Sequence, residues 1–291
     1  MLEDVVDATP CCQSARHGAQ APQFAVAENL CRVVSNQWVN DEYKHLVVEA
    51  PEVALRALPG QFFHLACPPD QHGAALLRRP MSLYRVSPGD GTVEFLYKVQ
   101  GLGTRGLAQL GAGDTLDALG PVGRGFALPA GARHILLLAR GVGLATLTPL
   151  ADLARSQGVS VTAVLSVRSA GLVMSADYLR EAGANVLIVT DEDGTSQVEH
   201  VEALLRSTHA TRRLDYVATC GSNRLLQLLQ RVAADLEIPG QIALEQHMGC
   251  ALGACFACVR PFRKQADTQD LTYRRVCWDG PVFDLQETVS W

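Results

Sequence analysis

His134-Ile135-Leu136-Leu137-Leu138-Ala139-Arg140-Gly141-Val142-Gly143 is the stretch that decides the fold. Residues 134–139 form an unbroken run of strand length without polar alternation, the pattern of a strand covered on both faces. Two glycines then make a tight turn, and an apolar-faced helix follows over 144–157. The alternation repeats downstream, with strands at 159–165, 185–190 and 214–219 and helices around 172–182, 198–207 and 223–236. Such a succession predicts a parallel sheet with helices on both faces, spanning 131–240. A glycine turn between strand and helix lets a pyrophosphate approach backbone N–H groups. Gly141 and Gly143 are therefore candidate contacts for a pyridine nucleotide; the bland reading of the same turn is a tight connection. Cys220, at the end of the fourth strand, lies on the same sheet edge, either beside a ligand or as a small buried thiol. No acid ends the second strand; Arg168 stands there, facing the ribose end of a dinucleotide or simply solvated.

Upstream, over 24–130, short β-type runs at 45–49, 62–66, 81–86 and 93–99 are separated by turns such as Pro59-Gly60 and Pro88-Gly89-Asp90-Gly91. Many short strands at this spacing predict a small antiparallel barrel. Within it, Arg79-Pro80-Met81-Ser82 sets a guanidinium suited to phosphate and a hydroxyl suited to a ring nitrogen at the start of a strand, unless it is an ordinary edge strand. Gly101-Leu102-Gly103-Thr104 precedes a short helical run and offers either a phosphate cradle or a plain loop. Residues 1–23, rich in Ala, Gln, Pro and small polar residues, read as a flexible arm.

Downstream, 241–291 carries Cys250, Cys255, Cys258 and Cys277, spaced C-x4-C-x2-C and then eighteen residues to the last cysteine. Three thiols in one loop and a fourth from a distant segment suit a plant-type [2Fe–2S] cluster. The small residues Gly249, Ala251, Gly253, Ala254 and Ala257 let backbone close around it. A four-cysteine zinc site is the alternative, although structural zinc usually takes two similar hooks. The segment is too short for a large core, so a bound cluster is expected to staple it.

The 291 residues suffice for two or three compact units. With 48% apolar and 19% charged residues and a net charge of −5, the chain offers no electrostatic reason to bind nucleic acid. Its apolar runs are strand-sized, so no membrane span is expected, and no basic region followed by an apolar one suggests a signal peptide. Nine cysteines do not form a secreted disulfide framework. Cys11, Cys12, Cys31 and Cys67 show no pairing logic, and a labile cluster with free thiols suggests a cytoplasmic location.

Taken together, Pro59-Gly60-Gln61-Phe62, Arg78-Arg79-Pro80-Met81-Ser82, Leu96-Tyr97-Lys98, Gly103-Thr104, Gly120 to Phe126, Glu245 to Cys258 and Arg275 to Phe283 run in a known order. The chain resembles the electron-transfer subunits of two-subunit, NAD-dependent dihydroorotate dehydrogenases, in the ferredoxin–NADP reductase superfamily, over about 24–291. The resemblance implies a multidomain β plus α/β fold: an antiparallel FAD-binding barrel, a parallel-sheet NAD(P)-binding unit and a small C-terminal [2Fe–2S] segment. It implies that Arg79, Pro80, Met81 and Ser82 bind FAD, with Arg79 at the pyrophosphate and Ser82 near the ring. Leu96, Tyr97 and Lys98 would line the flavin, Gly103 and Thr104 hold its phosphates, and the four cysteines ligate the cluster. NAD(H) would meet Gly141, Gly143 and Cys220. The partner implied is an FMN-containing catalytic subunit, in a heterotetramer of pyrimidine biosynthesis, and no acid–base residue is required. Four positions depart from the family pattern. Ala139 and Arg140 replace the first two of three glycines, and Arg140 either blocks the pyrophosphate or pairs with it. Thr146 and Ser222 stand where proline is usual. Two other functions remain open: a diverged NAD(P)H-dependent reductase subunit serving a ferredoxin-, sulfide- or other flavin-linked partner, and a non-catalytic zinc-stapled scaffold.

Overall fold

The computed structural model describes residues 24–291; the predicted arm, with Cys11 and Cys12, lies outside them. The N-terminal unit contains β1 (Ala27–Trp38), β2 (Tyr43–Glu49), β3 (Phe62–Leu65), β4 (Arg79–Ser82), β5 (Arg85–Ser87), β6 (Thr92–Lys98), α1 (Leu102–Leu107) and β7 (Thr115–Val122). Its strands form one antiparallel sheet in the order β4-β3-β7-β1-β2-β6-β5. Along β1, Cys31 and Val33 face inward while Glu28, Leu30 and Arg32 face out, and a register shift between Val33 and Ser35 bends the strand. Inside sit Leu46, Val48, Phe63, Leu65, Phe95 and Leu116. Asn29 is buried with them, because its Nδ2 donates to the carbonyls of Ala118 and Gly120, each at 2.9 Å. The expected strand over 81–86 is two strands, since Leu83 and Tyr84 turn inward between β4 and β5.

The second unit runs β8 (His134–Arg140), α2 (Gly143–Ser156), β9 (Ser160–Val167), α3 (Ala176–Glu181), β10 (Asn185–Thr190), α4 (Val198–Thr211), β11 (Tyr216–Cys220), α5 (Asn223–Asp235) and β12 (Gly240–Ala243). The last segment adds a hairpin of β13 (Val259–Arg263) and β14 (Leu271–Arg275), then α6 (Val276–Asp279) and β15 (Val282–Asp284). The sheet order is β10-β9-β8-β11-β12-β15, parallel except for β15. Alternate residues of β8 serve opposite faces: Ile135, Leu137 and Ala139 meet α2 and α3, whereas Leu136 and Leu138 meet α4 and α5. Strand order reverses between β8 and β11, so a crevice opens there at the C-terminal ends of the strands.

The C-terminal segment is built into this unit, and residue 240 falls inside its sheet. Strand β15 pairs with β12, and Met248, Ala251, Cys258, Phe262, Val276, Cys277 and Phe283 share one core with α4 and α5. The expectation that the segment lacks a large core holds only for the segment by itself. Its apolar side chains use the α/β core instead.

Candidate functional site

A cleft of about 470 Å³ separates the barrel from the α/β unit. One wall carries Arg79, Pro80, Met81 and Ser82 from β4, with Leu96, Tyr97 and Lys98 from β6 and Gly101 and Thr104 around α1. The opposite wall is Val142, Ala145 and Thr146 at the start of α2, and Cys220 at the end of β11. The chain from Ala243 to Met248 lines a further part of it. The size, the apolar lining and the few converging polar groups are those of a cofactor site.

Local chemistry explains how these residues are held. Arg79 donates to the carbonyls of Leu77 and Arg78 and meets no carboxylate among the described residues, so its charge is available to a phosphate. Tyr97 is buried, its hydroxyl donating to Asn36 Oδ1 at 3.0 Å, and burial pushes it up to about 12. Lys98 pairs with Glu42 at 2.8 Å, and Glu42 also takes the guanidinium of Arg168. Arg168 is thus tied to the barrel. Gly103 sits behind the wall, where a Cβ would lie 3.0 Å from Arg79 and 3.2 Å from Cys67 Sγ. Thr104 Oγ1 accepts from the N–H groups of Gln100 and Gly101, both at 3.0 Å, so it caps α1 as well as facing the cleft. Cys31 and Cys67 are packing thiols, each pushed up to about 11 by burial.

On the α/β side, Gly141 adopts φ +55° and the turn brings Gly143 hard against the end of β11. A Cβ on Gly143 would lie 2.5 Å from the Cys220 carbonyl oxygen, so only glycine fits. Gly141 and Gly143 stay outside the cleft lining, whereas Val142 between them is part of it. Arg140 does not cover this turn. Its guanidinium lies over the neighbouring strands, bonded to Ser166 Oγ at 2.9 Å and to Asp191 at 3.1 and 2.6 Å. Cys220 is buried, and that burial pushes its thiol up. Ser222, in the proline position, caps α5 by accepting from the Leu225 N–H at 3.4 Å. Thr146, the other proline replacement, donates to Ser82 Oγ at 2.8 Å across the cleft.

The four cysteines lie in two pairs. The Cys250 and Cys255 thiols are neighbours in the loop, and the Cys258 and Cys277 thiols are neighbours where the loop meets α6. Among the described residues no three His, Cys, Asp or Glu side chains gather as a pocket for one ion. Two dithiol pairs suit a centre of two irons, each with two protein thiolates, better than a single tetrahedral zinc. Backbone N–H groups already point at the sulfurs: Leu252, Ala254 and Cys255 donate to Cys250 Sγ at 3.3–3.4 Å, and Cys277 donates to Cys258 Sγ at 3.4 Å. Burial opposes the Cys250 thiolate, yet these N–H groups outweigh it and bring the thiol down to about 7. In the other pair, the Cys277 thiol and backbone N–H groups lower Cys258, and Cys277 rises in return. The loop takes left-handed backbone at Ala251, Gly253 and Phe256, which wraps it tightly. This donor set fits a [2Fe–2S] cluster.

Residues 245–289 match the family model described as the iron–sulfur cluster binding domain of dihydroorotate dehydrogenase B. The electron transfer subunit of dihydroorotate dehydrogenase B (NAD(+)) from Desulforamulus reducens is 31% identical over 245 residues, which cover 84% of this chain and 92% of that protein. The corresponding subunit from Shouchella clausii is 34% identical, covering 88% and 96%. The chain belongs to this family of electron transfer subunits. Among solved structures, the NADH-dependent reduced ferredoxin–NADP oxidoreductase of flavin-based electron bifurcation superposes with a TM-score of 0.75 at 25% identity, covering 90% of each chain. The ferredoxin reductase of carbazole 1,9a-dioxygenase shares the fold, with a TM-score of 0.58 at 19% identity over 74% of this chain and 67% of that one.

Two residues of this electron transfer subunit open the quoted motifs, yet motif reading gives neither of them a role. Glu245 is the one carboxylate among the cleft-lining residues, and it meets no hydrogen-bond or ion-pair partner among the described residues. Apart from opening the cysteine segment, its sequence signal is an acid following the apolar run Ile242-Ala243-Leu244. Arg275 joins the cluster loop to α6: it donates to Asp279 at 3.1 and 3.0 Å and to the Gly253 carbonyl at 3.1 Å, with Phe256 5.6 Å away. The spacing Arg275-x3-Asp279 around Cys277 could have revealed it.

Proposed function

We propose that this subunit carries electrons between NAD(H), FAD and a [2Fe–2S] cluster, and exchanges them with an FMN-containing dihydroorotate dehydrogenase catalytic subunit in a cytoplasmic heterotetramer. A flavin exchanges electron pairs with a nicotinamide and single electrons with an iron–sulfur cluster, which is the chemistry these groups supply when bound. The observation that carries the reading is continuity. The chain lining the cleft runs to Met248, and Cys250 follows two residues later.

In this reading the chain falls into an FAD-binding barrel (24–130), an NAD(P)-binding unit (131–240) and a cluster segment (241–291). Arg79 binds the FAD diphosphate, Ser82 the flavin ring, and Pro80, Met81, Leu96, Tyr97 and Lys98 shape the flavin wall. Gly103 and Thr104 fix the loop that faces the FAD phosphates. Gly141, Gly143 and Cys220 form the edge for the nicotinamide nucleotide, with Gly143 keeping that edge narrow. Cys250, Cys255, Cys258 and Cys277 hold the cluster. Cys255 and Phe256 are exposed, leaving one side of the loop open to a redox partner. No helix among the described residues is long and apolar enough to cross a membrane.

A second reading keeps the cofactors and changes the partner. Arg140, Thr146 and Ser222 alter the nucleotide side of the family pattern, as a reductase serving another flavin- or ferredoxin-linked enzyme would permit. Anaerobic co-purification tests both. The first reading requires flavin and cluster absorbance, a partner containing FMN, and reduction of the complex by dihydroorotate. Cofactor absorbance with a partner indifferent to dihydroorotate selects the second. A colourless zinc protein overturns both.

A further inference from the structure

Arg140 ends β8 beside the crevice where strand order reverses, and its side chain is held away from that crevice. It runs across the sheet edge, over β9 to Ser166 and over β10 to Asp191, which it grips through both Nη atoms. Three features make this grip exchangeable. The pair is open to water, with 24% of the Arg140 side chain and 40% of the Asp191 side chain exposed. Asp191 keeps a second donor in Ser196 Oγ, and Arg224, which donates to the Ser196 carbonyl at 3.3 Å, lies near enough to add its charge. Departure of the guanidinium therefore leaves no orphaned carboxylate. Beside the turn, the space a Cβ on Gly141 would enter holds only Tyr43 Oη, at 3.6 Å.

The remaining backbone is closed. A Cβ on Gly221 would meet the Arg140 Cβ and carbonyl oxygen at 3.1 Å, and Gly143 abuts Cys220. The ends of β8 and β11 thus touch, and the long side chain at position 140, held only at its solvent-open tip, is the polar group on this edge that can change partner. A guanidinium fork that fits a carboxylate also fits a phosphate.

We propose that Arg140 binds the diphosphate of the pyridine nucleotide, and that Asp191 holds the guanidinium in its place until the nucleotide arrives. The exchange swaps one anion for another, so no unpaired charge forms at the edge. It makes position 140 a recognition residue. The inference rests on the nucleotide site proposed above.

Equilibrium binding of NAD+ and of NADP+ to the FAD-loaded, cluster-loaded protein tests it, since the oxidised nucleotides bind without electron transfer. Variants Arg140→Gly and Arg140→Gln should each weaken binding about ten- to a hundredfold, the range for losing a charged hydrogen-bonding partner. Asp191→Asn should tighten it several-fold by releasing the fork. Retained flavin absorbance confirms folding, and the glutamine variant preserves bulk. Equal or tighter binding by Arg140→Gly overturns the proposal and makes Arg140 an obstruction. Unchanged or weaker binding by Asp191→Asn overturns the exchange. If wild type and Arg140→Gly both bind neither nucleotide, the nucleotide site itself falls.

Discussion

Thr146 Oγ1 donates to Ser82 Oγ at 2.8 Å, and this hydrogen bond joins α2 of the α/β unit to β4 of the barrel. Thr146 is almost fully buried, whereas Ser82 is half-buried at the cleft wall. Replacement by valine keeps the shape and removes the donor. Thr146→Val should cost about 0.5–1.5 kcal/mol, the ordinary net worth of one such bond. The FAD-loaded protein should accordingly unfold at lower urea concentration. An unchanged midpoint would mean that the two units are not coupled through this bond.

Arg275 binds the cluster loop to the turn that supplies the fourth cysteine. Its guanidinium holds the Gly253 carbonyl, and Asp279 holds the guanidinium while also accepting the Arg275 N–H at 2.8 Å. Gly253 has φ +75° and packs with its Cα side toward Trp278, where a Cβ would lie 3.0 Å away. The loop cannot tighten further, so it depends on this clamp. Arg275→Ala should speed loss of the cluster in air by about tenfold, taking the low end of a charged hydrogen bond for a partly exposed side chain. Arg275→Lys keeps the charge, loses the fork and should fall between. Decay of the visible cluster absorbance measures it, and equal decay in all three proteins would rule out the clamp.

The legibility of the chain followed the range of its interactions. The 185–190 strand matches β10 because period and boundaries are local, and helix α4 runs on from the expected 207 to Thr211. Strand β1 was not among the expected strands: Leu30 and Val34 sit on its outer face and Asn29 and Asn36 are buried, which inverts the usual alternation. The pairing of Gln241 with Asp284 joins segments that no spacing rule connects. At the site, the cysteines were readable because three share one loop. The Thr146–Ser82 bond spans 64 residues, and the turning of Arg140 onto Asp191 spans 51. The first is a product of how the two units pack, the second of strand order. Neither has a sequence signature.

Glu245 supplies a pH signature. Glu245 is exposed to the open cleft, yet the protein walls packed around it push its carboxyl above the usual range, and no partner donor or cation offsets this among the described residues. From about pH 4.3, where an unfolded glutamate titrates, up to the folded value, the native state keeps a proton that the unfolded chain has released. The native state then binds more protons than the unfolded one, so stability falls as pH rises through that window and stays level above it. Glu245→Gln carries no such penalty. The two proteins should have similar unfolding free energies near pH 4, and the variant should gain on wild type as the pH is raised to neutrality. Denaturant titrations of both FAD-loaded proteins across that range decide the matter. A difference independent of pH would mean that Glu245 ionises in the cleft as freely as in water.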